Sequence, residues 1–245
     1  MKKRRGPAQP AAAETRRTSA ISLQTKQQPV QQRAIDTFEL ILEVTGRLLG
    51  EVGVERLSTN LVCQEAGLTP PALYRYFPNK YAILKELGTR LMKRMNEAFL
   101  GWLEAEAASD YRQGGMREHA RDSLKRLQET INAITLGYPG SAWILRAMRA
   151  VPALQGVRLD SHAFVSEHSF AAFRERYPLA SDAELALAMR LSTEVMYAAT
   201  EWVVDHPELD QDVVNTEIAD MVARYFDKFA EQTPRPAASR RRGRH

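Results

Sequence analysis

A single cysteine, Cys63, occurs in the 245 residues, so no disulfide can form within the chain. That usage fits a reducing compartment. No apolar run approaches the roughly 20 residues that a membrane-spanning helix needs. The basic start, Met-Lys-Lys-Arg-Arg, leads into Gly-Pro-Ala-Gln and not into the apolar stretch of a secretory signal. A cytoplasmic protein with no membrane partner is therefore expected. Strand signals are missing too: there is no Asn-Gly or Asp-Gly hairpin dipeptide. Metal-type Cys/His spacing, a glycine-rich phosphate loop and internal repeats are likewise absent. Glu167-His168 and Asp205-His206 are adjacent pairs, which do not face each other on a helix. The sequence thus offers no catalytic set, no metal site and no cofactor site, and a non-enzyme is expected.

Charge is present, but it is unevenly placed. Residues 1–34 carry eight Lys/Arg and one Glu, and residues 235–245 carry five Arg. These ends hold +7 and +5 of a net +4, which leaves −8 on residues 35–234. An acidic body with basic ends suits a polyanion reached by one end of the molecule. Residues 1–28 and 233–245 lack apolar periodicity and are expected to be disordered basic segments.

Between them the period is helical throughout, which predicts an all-α protein of about nine helices. Val30, Ala34, Phe38, Ile41, Leu42, Thr45, Leu48 and Leu49 form the face of a first helix, ended by Gly-Glu-Val-Gly at 50–53. Ser58 caps a short second helix, with Leu57 and Val62 placed as a hydrophobic staple. Thr69 caps a third, with Pro70 at its first position and Pro78 beyond its end. Asn79 caps a fourth that runs toward Ala108. Further helices are read at 116–136, 141–150, 159–177, 182–205 (capped by Ser181) and 211–231. Residues 29–80 are read as one domain and 81–232 as a second.

The third helix concentrates the chemistry. With Leu73 facing the core, about 100° per residue keeps Phe77 on the same side and turns Pro71 and Arg75 outward. Thr69, Tyr74, Tyr76 and Lys80 place donors at its ends. Two short helices with a donor-rich outer face match a helix-turn-helix whose second helix enters a major groove. Lys80 opens a helix, where a cation opposes the macrodipole; a phosphate docked there would remove the conflict.

The stretch Leu57–Leu84, LSTNLVCQEAGLTPPALYRYFPNKYAIL, resembles the DNA-binding region of TetR-type transcriptional repressors. The family pattern is met by Ala66-Gly67-Leu68 and by Leu73-Tyr74-Arg75-Tyr76-Phe77-Pro78-Asn79-Lys80. The resemblance covers about residues 30–85, and it implies a homodimer on a palindromic double-stranded DNA operator. It places Ser58 and Thr59 at phosphate and Asn60 toward bases. It also implies that Thr69, Tyr74, Tyr76 and Lys80 hold backbone phosphates. Pro70, Pro71 and Ala72 would occupy the base-contacting entrance of the recognition helix. Those three can meet thymine methyls but cannot read guanine, so polar readout falls to Arg75 and Asn60. Cys63, where small alanine is usual, reads as packing.

The resemblance further implies a helical effector-binding and dimerisation domain after residue 80. Candidate ligand residues there are Phe99, Trp102, Trp143, Met148, Phe164 and His168, around a small, largely apolar effector between the fourth and eighth helices. A stripe of this kind also serves as plain core. The family's dimer is a four-helix bundle of the last two helices, which points to Met189, Met196, Ala199, Val203, Ile218, Met221 and Tyr225. Two other readings stay open: a nucleoid-type protein binding DNA without sequence preference, and an enzyme on a helical bundle.

Overall fold

The computed structural model describes residues 21–26, 31–109 and 116–230. Nine α-helices and no strand lie among them: α1 (Gln32–Arg56), α2 (Thr59–Ala66), α3 (Pro70–Tyr74), α4 (Lys80–Ala108), α5 (Met116–Leu136), α6 (Ser141–Ala150), α7 (Gln155–Phe173), α8 (Asp182–Asp205) and α9 (Gln211–Ala230). Short 3-10 turns occupy Pro152–Leu154 and Arg174–Arg176. The all-α class is as expected. Val30, most of the N-terminal arm and the tail from Thr233 lie outside the described residues.

Local chemistry sets most helix starts. Side chains of Ser58, Asn79 and Ser181 accept from the backbone N–H three residues ahead, at 3.1, 3.0 and 3.3 Å. Each satisfies a donor that has no partner inside its helix. At α8 the Glu184 carboxylate returns the bond to the Ser181 N–H, completing a capping box. Leu57 and Val62, the expected staple, are both buried.

Two helices depart from the sequence reading. α1 continues past Gly50 to Arg56 across a kink at Gly53, where φ is 72°. The Trp143 indole packs there, and a Cβ on Gly53 would lie 3.1 Å from its ring. α7 spans 155–173, not 159–177. Pro152 opens a 3-10 turn that feeds straight into it, with Leu154 fully buried beneath. At its far end the Arg174 guanidinium donates to the Tyr177 carbonyl (2.8 Å) and to Asp182 (2.7 Å), tightening the chain before Pro178 is reached.

One hydrophobic core runs through Phe38, Leu49, Leu73, Phe77, Ile83 and Met148. It joins α1–α3 to α4 and α6, so the expected boundary after residue 80 is not a gap in packing. A smaller cluster of Tyr177, Leu185, Met189 and Phe229 closes the opposite end. The α5–α6 turn locks onto α1 by backbone contact. Gly140 has φ 73°, and a Cβ there would sit 2.5 Å from the Gly46 carbonyl oxygen. Gly140→Ala should therefore destabilise by about 1–3 kcal/mol from overpacking, plus about 1–2 kcal/mol from the left-handed backbone. Gly101, helical and exposed with open space around it, provides the contrast. Gly101→Ala should stabilise by about 0.5–1 kcal/mol, and urea denaturation of both proteins tests the pair.

Candidate nucleic-acid interface and neighbouring cavity

α2 and α3 present one outer face. Leu73 and Phe77 are fully buried, while Thr69, Pro70, Pro71, Tyr74 and Arg75 are exposed. On α2 Ser58 and Asn60 are exposed, and Thr59 and Ala72 are half-buried. The Thr59 and Tyr74 hydroxyls share a hydrogen bond of 2.9 Å that ties the two helices together. Thr69 holds the N-cap position of α3 without a side-chain bond. Pro71 has no N–H to offer it, and the Ala72 N–H is taken by the Thr69 carbonyl at 3.0 Å.

Two expected phosphate contacts have other partners. The Lys80 ammonium donates to the carbonyls of Val54 (2.9 Å) and Leu57 (3.0 Å), which end α1. A cation at a helix C-terminus is favourable. The apparent conflict at the start of α4 is thus resolved inside the protein, with no anion required. Tyr76 is 4% exposed, its ring edge-on to Phe38 at 5.8 Å, so it is a packing residue.

The arm also differs from the expectation of disorder through residue 28. Pro78 stops the helix, which leaves the Tyr76 carbonyl without its normal partner. The Lys26 N–H supplies one at 2.8 Å. Asn79 Nδ2 donates to the Ser22 carbonyl, also at 2.8 Å, and Leu23 packs on the core. Residues 21–26 are therefore a strap across the end of the recognition helix.

A cavity of about 120 Å³ opens between α4, α5, α7, α8 and α9. That is room for several waters. Of the six ligand candidates, Phe99 and Trp102 line it and four do not. Trp143 packs on Gly53, Met148 is buried in the main core, and Phe164 and His168 stack on each other at 4.0 Å. Polar lining that sequence periodicity did not reveal comes from Glu106, Ser123, Gln128, Arg176 and Tyr197. The Glu106 carboxylate accepts from Ser123 Oγ and bonds His119 Nε2 at 3.1 Å. Arg176 stands 3.9 Å from it. Beside the cavity, fully buried His162 bonds Glu194 through Nδ1 (2.9 Å) and stacks on Tyr197. Burial holds the imidazole below its ordinary pKa, against the pull of Glu194. Burial opposes ionisation of Glu194 as well, yet the His162 bond and the Arg190 and Arg158 charges hold its pKa below the usual carboxylate value.

The dimer candidates are only partly at the surface. Met189, Ala199 and Val203 are buried, and Met196 is half-buried in the cavity wall. Ile218 and Tyr225 are half-buried, and Met221 is exposed. The outward apolar row shares only Met221 with those candidates: it is Leu187, Leu191 and Trp202 on α8, with Val213 and Met221 on α9. α8 is apolar on two sides, and its better-packed side faces inward. No group of three or more His, Cys, Asp or Glu suited to a metal occurs among the described residues. None of their helices is long and apolar enough to cross a membrane.

Two outcomes follow. Lys80→Ala strands two carbonyls, so it should cost about 1–3 kcal/mol of stability by denaturant titration. It should change the salt slope of DNA binding by much less than the roughly one unit a direct phosphate contact gives. Burial lowers the His162 pKa in the fold, whereas the unfolded chain takes a proton near its ordinary pKa of about 6.5. Stability should fall as pH drops below that value, by at most about 1.4 kcal/mol per unit, and less in His162→Leu.

Residues 41–87 match the family described as bacterial regulatory proteins, tetR family. No curated protein matches the chain. Among solved structures, the fatty acid degradation regulator FadR from Bacillus halodurans superposes with a TM-score of 0.58 at 14% identity, over 80% of this chain and 97% of that one. The TetR-family regulator PfmR from Thermus thermophilus gives 0.54 at 23%, over 75% and 97%. SmeT in complex with triclosan gives 0.57 at 18%, over 78% and 91%. Residues 41–87 thus carry a tetR-type DNA-binding helix-turn-helix, and the all-helical body built onto it shares the fold of these solved structures.

Proposed function

We propose that the chain is a dimeric repressor that grips a palindromic operator and lets go when a small, largely apolar molecule fills the cavity. The observation that carries the DNA part is the exposed outer face of α2 and α3. There Thr69, Tyr74 and Arg75 stand exposed around a Leu73–Phe77 anchor. Ser58, Thr59, Thr69 and Tyr74 take phosphates, which fix the register of the helix on the duplex. Pro70, Pro71 and Ala72 touch thymine methyls, while Arg75 and Asn60 read polar base edges.

A single head reads few base pairs, so two heads about 34–36 Å apart are needed. The outward row of Leu187, Leu191 and Trp202 with Val213 and Met221 supports pairing with a second copy. For the effector, the support is a mainly apolar cavity reaching from α4 to α9, and α4 begins directly after the recognition helix. SmeT's complex with triclosan is a structural neighbour in which a small molecule is bound. A ligand that fits the cavity better when the heads are wrongly spaced lowers operator affinity by linkage.

Selection from random DNA with the full chain should return a palindrome. Arg75→Ala should weaken binding to it by about 1–3 kcal/mol and relax one position per half-site. Met196→Trp, which fills the cavity, should keep operator affinity and lose release by compounds that free the wild type. Retention of full sequence preference by Arg75→Ala would refute the base-reading role.

A further inference from the structure

We propose that the cavity selects a neutral, ring-bearing molecule with one hydroxyl group, and that Ser192 on α8 is the residue that reads the hydroxyl. The inference rests on the effector reading above and gives that effector a chemical class.

Ser192 is the carrying observation. Most polar groups in the cavity wall are already bonded within the protein. The Trp102 indole N–H donates to Ser123 Oγ at 2.8 Å, and the Gln128 amide to Thr200 Oγ1, also at 2.8 Å. The Tyr197 hydroxyl is paired with Ser161 Oγ at 2.8 Å. Thr193 turns its hydroxyl back to the Met189 carbonyl at 2.9 Å, a common local outlet in a helix. Ser192 does not take that outlet. Among the described residues, its Oγ is the one buried, unpartnered polar atom that belongs to a residue of the cavity wall. A buried hydroxyl without a partner is unfavourable, and a ligand group that bonds it removes the deficit. A hydroxyl suits it in either sense, since each partner can donate or accept. Met189 and Met196, three residues before and four after, line the same wall and set Ser192 in an otherwise apolar stripe.

The charges of the wall argue for a neutral molecule. Glu106 and Arg176 stand 3.9 Å apart, and Glu106 also accepts from Ser123 Oγ and bonds His119. Each charge is answered inside the protein. A ligand carboxylate would meet Glu106 and a ligand ammonium would meet Arg176, and either would lose its hydration for no surplus counter-charge. The rings argue for an aromatic body. Phe99, Trp102 and Phe173 follow one another at 5.9 and 6.0 Å between centroids, and Tyr177 and Phe226 pair at 5.6 Å. Such walls favour another ring at an offset or an edge, and the thioethers of Met189 and Met196 add to the contact.

Titration calorimetry of the full chain without DNA, at neutral pH, compares 4-propylphenol, propylbenzene, 4-propylbenzoate and 4-propylbenzylammonium. The phenol is neutral there, because a phenolic hydroxyl ionises near pH 10, roughly as tyrosine does. It should bind at least about 10-fold more tightly than either ion and about 3–10-fold more tightly than propylbenzene. Ser192→Ala should lose about that same 3–10-fold for the phenol and bind propylbenzene unchanged. Its urea denaturation midpoint should not fall, since no bond within the protein is lost. An equal loss for phenol and propylbenzene would make Ser192 a packing residue and overturn the assignment. Tighter binding of either ion, or binding of none of the four, would overturn it too. Operator release is read separately, by anisotropy of labelled duplex. A phenol held through Ser192 that leaves operator affinity unchanged would sink the effector coupling and leave this site standing.

Discussion

Within the core that joins the reading head to the body of this molecule, one close approach of backbone to backbone leaves no slack. At the α5–α6 turn, Gly140 presses on the carbonyl of Gly46 in α1, with no room for a side chain between them. Pro139 covers Gly46 beside it, and Trp143 seats against the kink at Gly53. The Tyr138 hydroxyl donates to the Leu87 carbonyl in α4. α5 thus ends on α1 while its other turns line the cavity. A shift of α5 cannot be absorbed by compressible side chains at this junction, because close-packed interiors transmit displacement. The helix-turn-helix and the helix that lines the cavity therefore meet at one tightly packed junction.

The recognition helix is short, and its edges are made by neighbours. Five residues form α3, too few for a helix that is stable on its own. Leu73 and Phe77 anchor it, Phe77 lying 4.9 Å from the Phe38 ring. The strap completes the backbone bonding that Pro78 interrupts. Lys80 then binds the end of α1, so a residue that begins one helix finishes another. Rigid support of this kind suits the proposed role of α3 as the helix that meets the duplex.

Much of this was legible in the residues. Helix starts at Ser58, Asn79 and Ser181 follow from side chains that reach only a few residues, and the inward turn of Leu73 and Phe77 follows from helical period. The donors of Lys80 and Tyr76 were visible too, but their destinations were not. Lys80 reaches carbonyls 26 and 23 residues earlier in the chain. Only packing decides whether such a group faces a phosphate or a neighbouring helix end. The ligand candidates show the same limit. Trp143 and Met148 have the size and polarity of cavity residues, yet they seal the core between head and body. Gln128 and Glu106 look like solvent-facing residues and are buried beside the cavity.

α8 marks the division most clearly. Its amino acids by themselves determined a capped, uninterrupted helix, because capping and period act within one or two turns. They could not determine which side meets a partner. Leu185, Met189 and Val203 on one face and Leu187, Leu191 and Trp202 on another are equally apolar. Tertiary structure decided that the first faces inward, where α5, α7 and α9 surround it, and left the second at the surface. Local hydrogen bonds and helical period are written in neighbouring residues; the choice between two apolar faces depends on which one the rest of the chain can cover.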